Sequence, residues 1–481
     1  MSVAAVSGNL IDGEWHTPPT LREVTNPSNR TVVGCVGYGG AAEATLAADA
    51  AARAFPGWSA TPARVRADVL LAGAHRLAER VEEIGMLLCQ ETGKRLVEAC
   101  AEVAFAVEYL RWFAEQTRRP VGTLHRHEHP GRRHVSLRVP SGVVVTLTPW
   151  NFPVSIQARK VAPALAAGCC VVTRPSEKAP LAVIEMVRCL NDAGLPPGVL
   201  NLVHGPAAEV TDALITHDAV RVVSFTGSTR VGRDVMAGAS RRIVRPLLEL
   251  GGDAPFIVFA DADMDSAVEG AMIAKFRNNG QSCVAANRFF VHSDVYEEFV
   301  ARVAARIDSM TIGDPVGAAA PHLGPQLGPL IDDDRVRAVS DMVEQALREG
   351  ARVVTKERGV PGDGSYCAPV LLTGVPDNAA FATSEVFGPA AGVFSFDTDD
   401  EALTRANATE MGLAGYVYTQ DAARIWRIAE QLDVGIVGIN DPLPSVAFAP
   451  MGGTKQSGLG REGAEAGLEE FEEIRYLCMG I

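Results

Sequence analysis

Short apolar segments alternate with helical segments between residues 143 and 240 of the chain. The apolar segments are Val143–Val145, Cys169–Thr173, Val199–Val203 and Val222–Phe225. Strands that are apolar throughout and are separated by helices predict a parallel sheet that is covered on both faces. A second alternating set follows between residues 255 and 431, so the sequence predicts two αβ units.

Composition excludes several classes of protein. The chain has 481 residues, nine Cys and a net charge of −14. At about 150 residues per domain, this length suggests about three structural units. The negative balance argues against nucleic-acid binding, which needs a positive surface. The sequence contains no charge-free run of about 20 apolar residues, so no membrane span is predicted. The odd, irregularly spaced Cys set and the lack of a signal-peptide pattern lead us to expect a cytoplasmic protein.

The segments outside the alternating region have a different character. Residues 41–118 are rich in Ala, with apolar residues spaced by three and four. This spacing predicts helices over Ala42–Phe55, Ala63–Gln90 and Leu96–Gln116. Residues 119–139 are rich in Arg and His around a Pro130-Gly131 turn, which predicts a polar β-hairpin. The tail Glu473–Met479 has the pattern of a strand.

Cys283 is a candidate nucleophile. It follows the predicted helix Met264–Arg277 and an Asn-Asn-Gly turn, within the segment N-N-G-Q-S-C. Asn and Gly tolerate the left-handed backbone that ends a helix, so the thiol is presented in a loop of small polar residues. Such a loop suits a reactive thiol, because reactivity depends on thiolate character and access. The alternative is the common role of Cys as a small buried apolar residue.

Glu249 and Asn151 are candidates for proton transfer and oxyanion binding. Glu249 lies in L-L-E-L-G-G, where poor solvation raises the pKa of a carboxyl toward the range of a general base. The alternative is an ordinary Glu at a strand edge. Asn151 lies in T-P-W-N-F-P at the carboxyl end of a predicted parallel strand, where open α/β sheets bind ligands. Its amide suits donation to an oxyanion, and an ordinary Pro-rich turn is the alternative.

A phosphate site is suggested between a strand and a helix. The segment F-T-G-S-T at Phe225–Thr229 places small residues at a helix N-terminus, where backbone N–H groups can approach a pyrophosphate. The segment lacks the usual G-x-G-x-x-G pattern, so its signal is weak when it is taken alone.

Taken together, these segments resemble the aldehyde dehydrogenase superfamily along essentially the whole chain. The matching motifs occur in the order of the family. They are T-P-W-N-F-P, R-P-S-E (Arg174–Glu177), F-T-G-S-T, L-E-L-G-G, N-N-G-Q-S-C, E-V-F-G-P (Glu385–Pro389) and P-M-G-G-T-K-Q-S-G-L-G-R-E (Pro450–Glu462). The residues in and around these motifs are most similar to those of the succinate-semialdehyde dehydrogenases.

The resemblance implies an aldehyde dehydrogenase-like α/β fold, with two Rossmann-like αβ domains and a β oligomerisation arm. Residues 1–118 and 140–249 would form the cofactor-binding domain, and residues 250–448 the catalytic domain. Residues 119–139 and 449–481 would form the oligomerisation arm and the C-terminal segment. Because unpaired strand edges favour pairing across subunits, we expect a homodimer or homotetramer.

The same resemblance implies the roles of the catalytic residues. Cys283 would attack the aldehyde and form a thiohemiacetal, which yields a thioester after hydride transfer. Asn151 and the backbone N–H of Cys283 would bind the oxyanion. Glu249 would activate the water that hydrolyses the thioester. A CoA-acylating reaction is disfavoured, since those relatives typically lack the Glu that Glu249 matches.

The resemblance also implies an NAD site, with NADP as the alternative cofactor. The residues that match cofactor-binding positions are Thr148, Pro149, Trp150, Lys160, Arg174, Ser176, Glu177, Gly227, Ser228, Leu250, Glu385 and Phe387. Glu177 should repel a ribose 2′-phosphate, whereas Arg174, in place of the usual Lys, should attract one. We expect NAD to be preferred.

Three positions match the carboxylate-binding residues of the succinate-semialdehyde enzymes. These are Arg159, Arg277 and Ser445, and two guanidinium groups with a hydroxyl can clamp the distal carboxylate of a short aldehyde. The alternative is that both Arg form ordinary ion pairs. Met451 stands where the family often has Phe, which changes the mouth of the predicted substrate site.

The predicted function is therefore NAD(P)-dependent oxidation of an anionic aldehyde, such as succinate semialdehyde. Two other functions stay open: oxidation of a small amino- or hydroxy-aldehyde, and a non-catalytic structural or binding role on the same fold. No metal site is predicted, because the alternating His125, His127 and His129 have no evident Cys or carboxylate partners in the sequence.

Overall fold

Most of the α-helices lie before or within the alternating region, and one follows it. The computed structural model describes residues 6–119, 121–126, 128–316 and 324–481. The α-helices are α1 (Ala41–Ser59), α2 (Ala63–Glu79), α3 (Val81–Thr92), α4 (Leu96–Gln116), α5 (Pro153–Ala167), α6 (Leu181–Asn191), α7 (Ala207–Ile215), α8 (Thr229–Ser240), α9 (Met264–Phe276), α10 (Ser293–Ser309), α11 (Asp333–Arg348), α12 (Ala380–Thr383), α13 (Asp399–Asn407), α14 (Ala422–Gln431) and α15 (Ala464–Glu469).

The strands build two large sheets and three small ones within the described residues. They are β1 (Val6–Ser7), β2 (Asn9–Ile11), β3 (Glu14–His16), β4 (Leu21–Thr25), β5 (Val32–Gly37), β6 (Gly122–His125), β7 (Arg132–Pro140), β8 (Val143–Leu147), β9 (Cys170–Arg174), β10 (Leu200–Leu202), β11 (Val220–Thr226), β12 (Arg245–Glu249), β13 (Ala254–Val258), β14 (Ala286–His292), β15 (Arg352–Val353), β16 (Val370–Thr373), β17 (Ala390–Phe396), β18 (Met411–Gly412), β19 (Ala414–Tyr418), β20 (Ile436–Ile439), β21 (Thr454–Lys455), β22 (Gly458–Leu459) and β23 (Glu472–Gly480).

The first large sheet has the strand order β22-β12-β11-β8-β9-β10-β2-β3. Its central strands β12, β11, β8, β9 and β10 are parallel, as the alternation of strands and helices predicts. Strands β8 and β9 are buried along their whole length because helices cover both faces. The edge strand β22 comes from the C-terminal segment and pairs with Leu248 and Glu249.

The second large sheet has the order β15-β16-β17-β14-β13-β19-β20, and only β15 runs antiparallel to its neighbour. Aromatic side chains fill its core, where Phe256 packs against Phe289, Tyr416 and Tyr418. All of its strands lie between residues 352 and 439 or between 254 and 292. The exact domain boundaries stay a prediction.

One predicted helix is interrupted. The apolar pattern from Ala63 to Gln90 predicts a continuous helix, but α2 ends at Glu79 and α3 begins at Val81. Arg80, at the break, has φ −114° and ψ 16°, and its guanidinium binds Glu185 of α6 at 2.7 Å. The apolar spacing continues across the break and Arg is a good helix former, so the local pattern does not reveal the interruption.

The predicted hairpin and the C-terminal strand lie in one small sheet. Strand β7 pairs with β6 and with β23, and the pairing with β23 extends from Pro140 opposite Glu472 to Arg132 opposite Gly480. Of the three alternating His, His127 lies outside the described residues. Within the described ranges, no helix is long and apolar enough to cross a membrane, and no group of three His, Cys, Asp or Glu side chains is arranged around a common metal position.

A buried ion pair joins Asp253, which precedes β13, to Arg288 of the neighbouring strand β14. Arg288 and Asp253 are both almost inaccessible, and the guanidinium Nε lies 2.9 Å from a carboxylate oxygen. The same guanidinium donates to the backbone carbonyl oxygens of Asp253 and Ala406. The arrangement satisfies both charges away from water, as a buried pair requires.

We expect Arg288→Met to destabilise the protein by about 3–5 kcal/mol, because it leaves the Asp253 carboxylate buried without its counter-charge. Arg302→Met is the matched control, since Arg302 pairs with Asp265 and Glu298 on the exposed surface and should cost about 0–1 kcal/mol. Thermal unfolding followed by calorimetry measures both. Equal shifts in the midpoint for the two variants would contradict the assigned role of the buried pair.

Candidate active site

The first sheet brings most of the predicted site residues together at one edge, which is formed by the carboxyl ends of its parallel strands. Strands β12, β11, β8 and β9 are neighbours and parallel, so their carboxyl ends lie side by side. Glu249 ends β12, Gly227 follows β11, Asn151 follows β8 and Arg174 ends β9. The second sheet supplies the facing residues, with Glu385 ahead of β17 and Cys283 ahead of β14. Distant motifs of the sequence thus converge as a consequence of strand order.

The backbone before Cys283 is left-handed at three consecutive residues. Asn278, Asn279 and Gly280 have φ values of 52°, 57° and 76°. Asn adopts this region more readily than most residues, but two in succession need support from their surroundings. Asn279 is held by a hydrogen bond from its Nδ2 to the Pro329 carbonyl (2.8 Å) and by one from the Gly328 N–H to its Oδ1 (2.8 Å). The turn predicted from Asn-Asn-Gly is present.

Gly252 allows the nucleophile loop to approach the first sheet. A Cβ atom at this position would lie 2.1 Å from the carbonyl oxygen of Cys283. No side chain fits in that gap, so the double Gly after Glu249 brings the loop of Cys283 against the end of β12. Two motifs that are separate in the sequence therefore form one site.

The electrostatics around the thiol favour its neutral form. Burial and the nearby carboxylates of Glu249 and Glu385 raise the pKa of Cys283 to about 12. Burial, followed by the charge of Glu462, also raises the pKa of Glu249 to about 7. Neither oxygen of Glu249 has a hydrogen-bond partner among the described residues. A carboxyl with this pKa and free oxygens is suited to accept a proton near neutral pH.

Glu462 organises the charges behind the site. Its carboxylate pairs with Lys160 and, at 2.5 Å, with the guanidinium Nε of Arg159. Lys160 also donates to the hydroxyl of Ser224 at 2.9 Å. Burial opposes the charge on Glu462, but Lys160 and Arg159 hold the pKa of its carboxyl below the usual value. Lys160, predicted at the cofactor, is engaged in this cluster by two hydrogen bonds.

A cavity of about 640 Å³ opens at Cys283. All three residues of the predicted carboxylate clamp line it, namely Arg159, Arg277 and Ser445. Arg159 is engaged with Glu462 and also contacts the sulfur of Met451. Within the described residues, the side chain of Arg277 makes no hydrogen bond or ion pair, and its guanidinium carbon lies 5.2 Å from the centre of the Phe152 ring.

Helix α4 contributes residues that sequence reasoning missed. Glu98, Phe105 and Tyr109 all line the cavity, and Tyr109 lies beside Arg159 and Ser445. Their spacing of seven and four residues places them on one face of the helix. The carboxylate of Glu98 accepts the backbone N–H of Asn278 at 3.1 Å. The available signal was a carboxylate on an otherwise apolar helix face. The cavity lining also includes Arg95, Glu269 and Arg306.

The predicted cofactor residues surround the shared edge of the sheet. The rings of Trp150 and Phe387 meet edge to face, with centroids 5.5 Å apart. Glu385 accepts the backbone N–H of Gly252 at 3.2 Å. Glu177 and Arg174 bind each other at 2.6 Å, and Arg174 also donates to the Gly205 carbonyl. Apart from Lys160 in α5, the remaining predicted residues lie in the same strand-end loops.

Several of these cofactor residues already have partners within the chain. The hydroxyl of Thr148 binds Gln157, and that of Ser228 caps α8 by accepting the Val231 N–H. The hydroxyl of Ser176 accepts the Lys178 N–H. The backbone N–H of Leu250 donates to Ser457. Their roles toward a cofactor stay predictions.

The edge has the features that a dinucleotide requires. At Gly227 a Cβ would lie 2.4 Å from the Phe225 ring, so only backbone fits at this residue ahead of α8, where N–H groups can receive a phosphate. Polar atoms of Thr226, His204 and Arg174 are buried nearby without partners in the described part of the chain. The donor set and the close backbone approach therefore fit a pyrophosphate with its ribose hydroxyls.

Comparison with known proteins agrees with the resemblance of the motifs. A model of the aldehyde dehydrogenase family matches residues 15–477. The chain is 42% identical to a glutarate-semialdehyde dehydrogenase of Pseudomonas aeruginosa, over 98% of this chain and 97% of the relative. It is 41% identical to the NADP(+) succinate-semialdehyde dehydrogenase of Escherichia coli, with the same coverage. A betaine aldehyde dehydrogenase from Staphylococcus aureus, solved with NAD+, superposes with a TM-score of 0.95 at 33% identity, covering 98% of this chain and 94% of that one.

We expect Glu249→Gln to accelerate alkylation of Cys283 by iodoacetamide at pH 8 by about threefold or more. Removing the negative charge lowers the pKa of the thiol, and the thiolate is the reactive form. Glu269→Gln is the control, because Glu269 lines the same cavity but pairs with Arg306. Peptide mapping by mass spectrometry follows the modification of Cys283. An unchanged rate in Glu249→Gln would contradict the electrostatic coupling.

Proposed function

Since the chain belongs to the aldehyde dehydrogenase family, we propose that it oxidises a short aldehyde with a distal carboxylate to the dicarboxylic acid. Succinate semialdehyde and its five-carbon homologue are the proposed substrates. The observation that carries this proposal is the guanidinium of Arg277, which shares the cavity of the Cys283 thiol and makes no ion pair or hydrogen bond with another side chain in the described residues.

Cys283 loses its thiol proton to water, and the thiolate attacks the aldehyde carbon. A C–S bond forms as the C=O double bond opens and its oxygen becomes an alkoxide. The amide of Asn151 and the Cys283 N–H stabilise this oxyanion. Loss of hydride from the same carbon restores the carbonyl as a thioester. Glu249 then takes a proton from water, the hydroxide adds to the thioester, and the thiolate of Cys283 leaves. The acid product and the free enzyme result.

NAD is the proposed cofactor, with NADP as the alternative, and it supplies the hydride acceptor when bound. Gly227 and Ser228 would hold the pyrophosphate, Glu385 the ribose next to the nicotinamide, and Glu177 the adenosine ribose. The ion pair between Arg174 and Glu177 supports the preference for NAD, because it occupies the cation that a 2′-phosphate would need.

The proposed clamp divides its work unequally between the two Arg. Arg159 shares its charge with Glu462, so it can give only part of its hydrogen-bonding capacity to a ligand. Arg277 is held by contact with the Phe152 ring and keeps its donors. Ser445 lies next to Met451 and Tyr109 at the same end of the cavity. We therefore assign the main carboxylate contact to Arg277.

We also propose that the protein forms a homodimer or homotetramer through the sheet of β6, β7 and β23. Leu124, Ile474 and Tyr476 of this sheet are exposed large side chains. An apolar patch beside an open strand edge is suited to cover the same surface of a second copy.

We expect Arg277→Gln to raise the KM for succinate semialdehyde about 10- to 100-fold, because a charge-assisted hydrogen bond to the carboxylate is lost. The KM for butanal, which has a similar size and no charge, should stay within about twofold. Arg306→Gln, at the same cavity but paired with Glu269, is the control. Steady-state assays of an aldehyde panel with NAD and NADP measure these effects. Equal losses for both aldehydes, or preference for 4-aminobutanal, would overturn the proposed substrate class.

We expect hydrolysis of the thioester to accelerate with rising pH through about 7, because Glu249 must be deprotonated to act as a base. Glu249→Gln should release one equivalent of NADH per subunit and then stop, with the acyl group retained on Cys283. Rapid-quench kinetics at several pH values and the mass of the intact protein provide the measurements. Continued turnover by Glu249→Gln at the wild-type rate would remove Glu249 from the mechanism.

A further inference from the structure

A further buried ion pair lies directly beneath Asn151. Lys94, between α3 and α4, and Glu102 of α4 have side chains that are 0% and 1% exposed. They pair with each other, and the Nζ of Lys94 also lies 4.3 Å from the centre of the Phe152 ring. Neither residue touches the cavity or belongs to the motifs of the catalytic residues. A buried pair at this position needs a reason, since apolar side chains would cost less to bury.

Lys94 contacts the oxyanion residue through its backbone. The Nζ donates to the carbonyl oxygen of Asn151 at 2.7 Å, and the Nδ2 of Asn278 donates to the same oxygen at 2.9 Å. Asn278 Nδ2 also donates to the Gln281 carbonyl at 3.0 Å, and the side chain of Asn151 donates to that carbonyl at 3.2 Å. The four residues therefore form a closed network that joins Asn151 to the loop of Cys283.

Glu102 accepts hydrogen bonds from the residues that follow Asn151. One carboxylate oxygen accepts the N–H groups of Val154 (2.9 Å) and Ser155 (3.2 Å) at the start of α5, and the other pairs with Lys94. The negative charge is well placed at a helix N-terminus. Lys94 and Glu102 thus hold residues 151–155 from both sides of the turn.

Glu91 shows what a purely structural version of this contact looks like. It is equally buried and accepts the N–H groups of Leu181 and Ala182 at the start of α6. Among the described residues, no Lys or Arg lies within ion-pair distance of Glu91, and Lys94 acts on it only from farther away. The two Glu therefore make the same helix cap, and only the cap at α5 adds a cation on the peptide of Asn151.

We propose that Lys94, with its charge balanced by Glu102, is a positioning residue for the oxyanion site. It fixes the peptide of Asn151, so that the side-chain amide is directed at the carbonyl attacked by Cys283. Through Asn278 it also sets the distance between that amide and the nucleophile loop. The inference rests on the proposed role of Asn151 as an oxyanion donor, but not on the identity of the aldehyde.

The experiment measures acylation of Cys283 by p-nitrophenyl acetate. The thiolate adds to the ester carbonyl, a C–S bond forms, and the tetrahedral oxyanion expels p-nitrophenolate as the acetyl thioester forms. This reaction uses the oxyanion site but needs neither a cofactor nor an anionic aldehyde. If the protein cleaves the ester through Cys283 but oxidises no semialdehyde, the proposed function fails while this inference is still tested.

The variants form a double-mutant cycle with Asn151→Ala. Lys94→Met/Glu102→Gln removes the donor and both charges together, so no unpaired ion is buried. We expect the acylation rate constant to fall about tenfold or more, with the KM for the ester unchanged, since loss of a positioned oxyanion donor costs about 100- to 1,000-fold. In the Asn151→Ala background the same pair of changes should cause no further loss.

Glu91→Gln is the matched control and should leave the acylation rate within about twofold of wild type. Lys94→Arg keeps the ion pair and repeats the cycle if the neutral pair folds poorly by circular dichroism. Losses that multiply with that of Asn151→Ala, or an equal loss in Glu91→Gln, would overturn the proposal and leave Lys94 and Glu102 a structural role alone.

Discussion

The ion pair of Glu462 with Arg159 and Lys160 fixes the chemistry of the site. Glu462 lies on the C-terminal segment, whereas both cations lie on α5, so the pair ties this segment to the first sheet. It keeps Glu462 ionised in a dry environment, and this negative charge, added to burial, keeps the neighbouring Glu249 protonated up to about neutral pH. After the larger effect of burial, the proposed base therefore owes part of its raised pKa to a residue that does not line the cavity of Cys283.

The pair with Glu462 also limits how far Arg159 can bind a substrate carboxylate. A guanidinium that already serves a buried carboxylate cannot give it up without exposing an unpaired charge to a low-dielectric interior. Arg159 is in this position, whereas Arg277 acts on the Glu98 carboxylate only from beyond ion-pair distance. The two Arg look equivalent in the sequence, but in the structure Arg159 pairs with Glu462 whereas Arg277 contacts the Phe152 ring.

The sequence predicts the two αβ sheets, the left-handed turn before Cys283 and the convergence of the motifs at one sheet edge. These features depend on local pattern and on the rule that parallel strands end together. The sequence does not predict the partners of Arg159 and Lys94. Glu462 lies 303 residues from Arg159 and Asn151 lies 57 residues from Lys94, and only the folded chain brings them together. The sequence predicts α4 as a helix but does not mark its face as part of the site, since Glu98 and Glu102 interrupt the apolar pattern without any motif around them. The break at Arg80 has no local signal either.

The pairing of Gly458–Leu459 with Leu248 and Glu249 has a consequence for the order of events during synthesis. Strand β12, which carries the proposed base Glu249, leaves the ribosome more than two hundred residues before β22, which pairs with its edge, and before Glu462. The first sheet can form its parallel core early, as domains generally do during translation. The pairing of β12 with β22 and the ion pairs of Glu462 form only after residues 458–462 have been made, so a partly made chain holds the parallel sheet without the charge that helps to raise the pKa of Glu249.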